Sequence, residues 1–276
     1  MTCSTTTPAT LPPQVQDTLR TLAEQAGHYA DQAREQSLKW FRTPLEILTK
    51  LDDSPVTIAD REVESVLRQC IAQHHPEHGI WGEEHGRTGM DADYIWVVDP
   101  IDGTRSFISG YPLWGTLLAV LWQGRPRIGL IDVPAIGDRW LGRTGQPTLF
   151  NGRACCTSTC ETLDDASLMC TTPDMFTPEE LAIFDAVSAR MRMRRFGGDC
   201  YGYGLLASGH IDIVIESELQ PYDFMASIPV IEGAGGCITD WQGRTLTLES
   251  GGQVVASANA RLHKQALAAL AAAGAA

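Results

Sequence analysis

One stretch constrains the fold more than any other: Tyr94-Ile95-Trp96-Val97-Val98-Asp99-Pro100-Ile101-Asp102-Gly103-Thr104. Its first five residues are aromatic or β-branched, which favours a strand covered on both faces. Pro100 has no backbone donor, so the ladder is expected to stop and the chain to turn there. Asp99 and Asp102, three apart across that turn, can converge on one point. Gly103 lets a ligand approach the backbone, and Thr104 supplies a hydroxyl where a helix or turn can begin. Two carboxylates facing the amides of Gly103 and Thr104 suit a hard cation beside an oxyanion. The same residues also suit a plain turn whose Asp side chains cap their own backbone. The rest of the chain has to decide.

At 276 residues the chain can bury a large core, as one big domain or two of ordinary size. A net charge of −13 argues against a nucleic-acid or anionic-membrane surface, both of which need clustered Lys and Arg. An anionic substrate stays possible if metal ions invert the sign locally. No stretch approaches the roughly 20 apolar residues of a membrane span. Met1 to Pro13 is rich in Thr and Pro, without the basic and apolar regions of a secretory signal, and reads as a flexible tail. The eight cysteines form no zinc-type spacing and read as reduced cytoplasmic thiols; a soft-metal site at Cys155, Cys156 and Cys160 is the alternative.

Apolar residues at helical spacing predict an amphipathic helix over Gln14–Phe41. A polar loop from Lys50 leads to a second helix beginning at Asp60, with Val63, Leu67 and Ile71 on its buried face. Asp60 can act as an N-cap or as part of a site. Ile80-Trp81 delivers Gly82-Glu83-Glu84, where Glu83 can point back toward the core or lie in solvent, and a polar, Gly-containing loop from His85 to Asp93 follows. Trp114–Trp122 and Arg127–Val133 read as strands joined by a hairpin at Gln123-Gly124-Arg125-Pro126. Short strands follow at Arg139–Leu141 and Pro147–Phe150. The second half alternates: strands at Ser167–Thr171, Met193–Phe196, Ile211–Ile215, Cys237–Thr239 and Val254–Ser257, with helices at Pro178–Arg190, Tyr201–Ser208, Pro221–Ala234 and Ala260–Ala273. This pattern predicts an α/β layer after an antiparallel, α+β first half. The expected division is a tail over 1–13, a subdomain over 14–150 holding the metal and phosphate site, and a subdomain over 151–276 completing it.

Asp60, Glu83, Asp99, Asp102 and Asp223 all fall at strand ends or helix starts, where loops converge. Gathered carboxylates repel one another, and divalent cations resolve that conflict. Mg²⁺ takes carboxylate and carbonyl oxygens together with substrate phosphate, and acidifies a bound water for hydrolysis.

Gly82-Glu83-Glu84, Asp99-Pro100-Ile101-Asp102-Gly103-Thr104, Tyr222-Asp223 and the later Gly235-Gly236 resemble the inositol monophosphatase superfamily in order and spacing, from about Gln14 to Leu270. The resemblance implies a layered α-β-α-β-α sandwich, shared with fructose-1,6-bisphosphatases, and a magnesium-dependent, lithium-sensitive phosphomonoesterase. It implies that Glu83, Asp99 and the Ile101 carbonyl hold one metal, that Asp99, Asp102 and Asp223 hold a second, and that Glu83 helps place a weaker third. Gly103 and Thr104 amides would bind phosphate, the Asp60–Thr104 pair would orient the attacking water, and Lys50 would help neutralise the phosphate. A homodimer is also implied. One departure is that the small residue after Asp223 comes at Ala226, one position later than in many relatives.

Arg105-Ser106-Phe107, Gly197-Gly198-Asp199-Cys200-Tyr201 and Glu216 before Asp223 resemble the histidinol-phosphate phosphatase branch, which serves histidine biosynthesis. That substrate carries an ammonium and an imidazole, so extra carboxylates suit it. Glu216 and Asp199 are the expected partners of these groups, with Arg105 on the substrate side, although Asp199 can also simply cap its helix. An inositol or broad-specificity sugar monophosphatase, a 3′-phosphoadenosine nucleotide phosphatase and a non-catalytic metal-binding module remain as alternatives.

Overall fold

The computed structural model describes residues 11–44, 46–49 and 55–275. Lys50 and the first ten residues of the expected tail lie outside the described residues. Helix α1 (Pro13–Trp40) opens on a proline, the residue whose missing N–H costs nothing at a helix start. Strands β1 (Ile47–Thr49) and β2 (Pro55–Thr57) pair antiparallel and lead into α2 (Ile58–His74). There follow β3 (Gly79–Gly82), β4 (Gly86–Thr88), β5 (Tyr94–Asp102), α3 (Thr104–Ser109), β6 (Gly115–Trp122), β7 (Arg125–Val133), β8 (Asp138–Arg143), β9 (Leu149–Phe150) and β10 (Arg153–Ala154). Strands β3 to β10 form one sheet in the order β10-β9-β8-β7-β6-β5-β3-β4, antiparallel except where β3 meets β5.

The later residues form β11 (Ser167–Cys170), α4 (Pro178–Ser188), β12 (Met193–Phe196), α5 (Tyr201–Ala207), β13 (Ile213–Glu216), α6 (Pro221–Phe224), α7 (Ser227–Gly233), β14 (Cys237–Thr239), β15 (Val254–Ser257) and α8 (Ala260–Ala273). Their sheet runs β12-β11-β13-β15-β14; β11 is parallel to both neighbours and β15 antiparallel to both of its own.

Strand β5 shows why the layers stack. Trp96 and Val98 face a core shared with Leu19, Leu22, Val63 and Leu67 of α1 and α2. Ile95 and Val97 face the opposite core, shared with Tyr203, Phe224 and Ile231 of α5, α6 and α7 and with Val214 of β13. Beyond the second sheet, Ile213 and Val255 pack on Phe184 and Leu262 of α4 and α8. The order is helix, sheet, helix, sheet, helix, the α/β sandwich expected. Alternate residues of one strand therefore feed two cores, each large side chain contributing about 1.5–3 kcal/mol by burial.

Three expected features come out differently. The hairpin turn is only Gln123-Gly124, both with positive φ, and Pro126 lies in β7 at a bulge where its missing donor does no harm. The helix expected over Pro221–Ala234 is split at Met225-Ala226, because Pro229 cannot donate to the carbonyl four residues back. His85 to Asp93, read as a polar loop, contains the edge strand β4.

Helix α7 sits on a seat made by two glycines paired across β7 and β8, Gly129 and Gly142. A Cβ at Gly129 would lie 1.9 Å from the Ala226 carbonyl oxygen, and one at Gly142 would lie 2.3 Å from that of Pro229. Gly129→Ala should therefore push α7 off the sheet and destabilise the fold by about 2 kcal/mol, the usual cost of overpacking. Thermal unfolding should show a melting temperature lower by about 5 °C; an unchanged value would mean that the helix is not held by this contact.

Candidate active site

The pairing of β5 with β6 runs in register to Asp99 opposite Leu117 and resumes at Asp102 opposite Gly115. Pro100 and Ile101 thus oppose Thr116 alone, which is a β-bulge. In a regular strand residues three apart face opposite ways. The extra residue cancels that alternation and lets Asp99 and Asp102 face one side. The bulge replaces the turn expected at Pro100, since its missing N–H falls where the ladder is already interrupted. Thr116 Oγ1 donates to the Pro100 carbonyl at 2.8 Å, and the Ile101 amide donates to Asp99 Oδ1 at 3.0 Å. Gly103 then turns the chain with φ of +80° into α3. A Cβ there would stand 2.6 Å from Asp199 Oδ2, so both backbone angle and space require glycine.

The other carboxylates arrive from separate elements. Asp60 is the third residue of α2, not its cap: Thr57 caps, and its amide and hydroxyl donate to Asp60 Oδ2 at 2.8 and 2.7 Å. The other oxygen, Oδ1, lies 3.3 Å from the Thr104 hydroxyl, which also lies 3.2 Å from the Ile101 carbonyl. Asp223 repeats the device in α6, its Oδ2 accepting from the Gln220 amide at 2.6 Å. Asp102 Oδ2 accepts from the Cys200 amide at 2.6 Å. Glu83 leaves β3 with its own amide bonded to the Val98 carbonyl.

A cavity of about 150 Å³ opens between these elements, walled by Glu83, Asp99, Asp102, Thr104 and Asp223. Burial, together with the charges of Glu83, Asp102 and Asp223, holds the Asp99 carboxyl well above the usual carboxylate range. Asp102 is raised well above it by burial and by Asp199 and Asp223. Asp223 is pushed up to about 8, again chiefly by burial. Raised in this way, the three carboxyls keep protons that they would release in water. Oxygens of Asp99, Asp102 and Asp223 all lie within 4.8 Å of one another. An all-oxygen anionic donor set this close fits a hard divalent cation, which would replace those protons.

Asp199 and Glu216 also wall the cavity. Asp199, at φ of +46°, precedes the start of α5 and does not cap it; its Oδ2 accepts from Ser106 Oγ at 2.6 Å. Glu216, almost fully buried at the end of β13, accepts from the Thr171 amide and hydroxyl at 2.9 and 2.6 Å and from the Tyr203 hydroxyl at 2.8 Å. Burial raises both acids, and the hydrogen bonds oppose the rise. Arg105 does not join them: it is exposed on α3, off the cavity wall, and acts on Asp199 only through its charge. Asp60 likewise reaches the cavity only through Thr104. Thr171, Tyr203 and Cys200 were not anticipated, since nothing local marks them. Buried Glu64 was not anticipated either, although an acid among Val63, Leu67 and Ile71 on an otherwise apolar helix face was a legible signal.

A second group of possible ligands is His75, Glu77 and His78, in which the two imidazoles stack and His78 Nε2 lies 3.5 Å from Glu77 Oε1. Trp96 Nε1 donates to His78 Nδ1 at 3.1 Å, which leaves the proton on Nε2. The rings of His75 and His78 lie 4.5 Å apart and 9° from parallel, and His75 Nε2 is hydrogen-bonded to Gln25 Oε1 at 2.7 Å. Cys155 and Cys160 donate to the carbonyls of Thr148 and Thr162, and among the described residues the trio makes no ligand group.

Residues 14–275 match the inositol monophosphatase family. The chain is 44% identical to the chloroplastic bifunctional phosphatase IMPL2 of Arabidopsis thaliana, over 93% of this chain and 77% of that one. It is 34% identical to a histidinol-phosphatase of Chlorobaculum parvum, over 87% and 93% of the two chains. Among solved structures, an inositol monophosphatase from Zymomonas mobilis superposes with a TM-score of 0.83 at 44% identity, over 93% of this chain and 98% of that one. With its carboxylates gathered at one cavity and its matching length, the chain belongs to the inositol monophosphatase family of metal-dependent phosphatases.

Proposed function

We propose that this protein hydrolyses L-histidinol phosphate to L-histidinol and inorganic phosphate with Mg²⁺. The observation that carries the substrate is Glu216: a buried carboxylate on the cavity wall, held by three donors from Thr171 and Tyr203. Among the described residues no Lys or Arg forms an ion pair with it. A buried acid of this kind gains most from a cationic ligand, and histidinol phosphate brings an ammonium and an imidazole. Asp199 adds a second carboxylate on the same wall. Relatives that bear the name histidinol-phosphatase support the reading.

Glu83, Asp99, Asp102, Asp223 and the Ile101 carbonyl would hold two or three Mg²⁺ ions. When bound, Mg²⁺ supplies Lewis acidity toward the phosphate oxygens and acidifies water. The amides of Gly103 and Thr104, free of helical partners at the start of α3 by the geometry of any helix, offer donors to phosphate. The Thr104 hydroxyl donates its one proton to Asp60 and so accepts from the attacking water, turning the water's lone pair toward phosphorus. The water oxygen bonds to phosphorus as its proton passes by way of Thr104 to Asp60, and the ester P–O bond breaks. The leaving alkoxide takes a proton from solvent water, with Asp60 then returning its own to solvent. An inositol or sugar monophosphatase is the second reading, favoured by the likeness to the Zymomonas mobilis protein and by the capacity of Tyr203 and Glu216 to bind a polyol hydroxyl.

Phosphate release from histidinol phosphate, inositol 1-phosphate and glycerol 2-phosphate tests the choice. Glu216→Gln should cut kcat/KM for histidinol phosphate by roughly 10- to 100-fold, the scale of a charge-assisted hydrogen bond, and barely affect glycerol 2-phosphate. Equal losses would remove the cationic-substrate reading. Asp99→Asn should lower turnover of every substrate by more than about 100-fold.

Metal binding should also depend on pH. Asp223 ionises near 3.8 in ordinary surroundings and at about 8 here, so its folded form keeps a proton the unfolded chain releases. This stability is complete below about pH 4 and is lost as pH rises to about 8. In EDTA the melting temperature should therefore fall across that window, and Mg²⁺ should raise it more at pH 8 than at pH 5.5. A Mg²⁺ effect that is flat, or larger at the lower pH, would show that cations and protons do not compete at this cluster.

A further inference from the structure

Glu64 lies one helical turn after Asp60 on α2 and is fully buried. Its Oε2 accepts from the Glu84 amide at 2.6 Å, and its Oε1 from the His85 amide at 3.2 Å and from Arg68 Nε at 2.6 Å. Arg68 passes the contact on by donating to the Gly86 carbonyl. The His85 ring adds hydrogen bonds to Ser65 and to the Arg61 carbonyl. One face of α2 thus grips Glu84 and His85 of the turn between β3 and β4 together with Gly86 at the start of β4.

Glu83 begins that turn. Its own amide is fixed to the Val98 carbonyl of β5, and the next amide is fixed to Glu64. The Glu83 backbone is therefore tied on one side to the sheet and on the other to the helix, while its side chain meets Asp99. Gly82 makes the grip possible: a Cβ there would lie 2.0 Å from Glu64 Oε1, so any side chain would displace the carboxylate. A buried acid and a side-chain-free residue in the strand above it form one fitting.

We propose that Glu64 is the positioning residue for Glu83, aiming the Glu83 carboxylate at the acidic cluster and thereby setting the site's affinity for Mg²⁺. This rests on the reading of Glu83 as a metal ligand. Glu64 does not line the cavity, so its loss acts on metal affinity and not on the chemical step. Through α2 the orienter of Glu83 and the carboxylate beside Thr104 are one turn apart on a single rigid element.

The test uses EDTA-stripped full-length protein, with Mg²⁺ binding measured by titration calorimetry and phosphate release measured against Mg²⁺ concentration. Glu64→Ala should weaken Mg²⁺ binding by about 10-fold or more, the usual effect of removing an outer partner of a metal ligand. The half-saturating Mg²⁺ should rise by the same factor, with kcat at saturating Mg²⁺ retained within about threefold. Gly82→Ala, which displaces the Glu64 carboxylate while keeping its charge, should reproduce the shift and serves if Glu64→Ala fails to fold. Glu83→Gln should itself weaken binding, and adding Glu64→Ala to it should weaken binding no further. Folded Glu64→Ala or Gly82→Ala with unaltered Mg²⁺ binding, beside a weakened Glu83→Gln, would overturn the positioning role. A fully additive double variant would overturn it too. Unchanged binding in Glu83→Gln would instead overturn the reading of Glu83 as a ligand.

Discussion

The extra residue in β5 is the constraint on which the site depends. Without it, Asp99 and Asp102 would project from opposite faces of the sheet, one toward each core, and neither could stay charged among apolar side chains. With it, Pro100 and Ile101 share the space opposite Thr116, and both carboxylates reach the same cavity. Ile101 is still anchored in the core beneath α1 and α2. The site is thus cut into the end of a deeply buried strand of the larger sheet, where the surrounding packing holds the interrupted ladder in place.

The acids share a second property. Asp60, Asp99, Asp102 and Asp223 each give one oxygen to a backbone amide, at Thr57, Ile101, Cys200 and Gln220 respectively. A backbone donor cannot rotate away as a side chain can, so each carboxylate is fixed in direction by secondary structure. For Asp60 and Asp223 the donor is the amide at a helix N-cap, three residues back, where an acid also gains from the helix dipole. One amide per acid offsets part of the desolvation cost, but not enough to keep the cluster ionised. The raised pKa values of Asp99, Asp102 and Asp223 are the residue of that imbalance. Orientation and electrostatic frustration come from the same architecture, and both favour a cation.

Periodic features were legible in the sequence. Helices α1 and α8 and the paired strands β6 and β7 carry apolar spacings that one element alone decides, and they stand within a residue or two of where they were expected. The acids were legible because motif order and spacing pointed to a family already known. The bulge was not, because it exists only in the register between β5 and β6, and no local sequence states that register. The break between α6 and α7 is legible in Pro229, which has no amide to donate to the Met225 carbonyl. The resemblance puts Arg105 on the substrate side, but a helix turns about 100° per residue, and on α3 Arg105 is exposed and off the cavity wall. Glu64 illustrates a remaining gap: its burial was implied by its place on an apolar face, but its partners are set by a turn about 20 residues further on.

The cavity is assembled unequally from the two sheets. Glu83, Asp99, Asp102 and Thr104 come from strands β3 and β5 and the start of α3, whereas Asp199, Glu216 and Asp223 come from the elements around β13. Asp223 alone crosses from the second set to join the cluster that the first set builds, and it is placed there by α6, which leads directly into α7 on its glycine seat. Asp99 and Asp102 sit on one strand, so their mutual spacing is set by the register of β5 on β6. Glu216 depends on Thr171 and Tyr203 for its orientation, and Asp199, which lies against Gly103, depends on Ser106. Substitution among these supporting residues would redirect the wall that meets the substrate while leaving the β5 acids where they are. A fold arranged this way can change which phosphomonoester it accepts without rebuilding the chemistry that cleaves it.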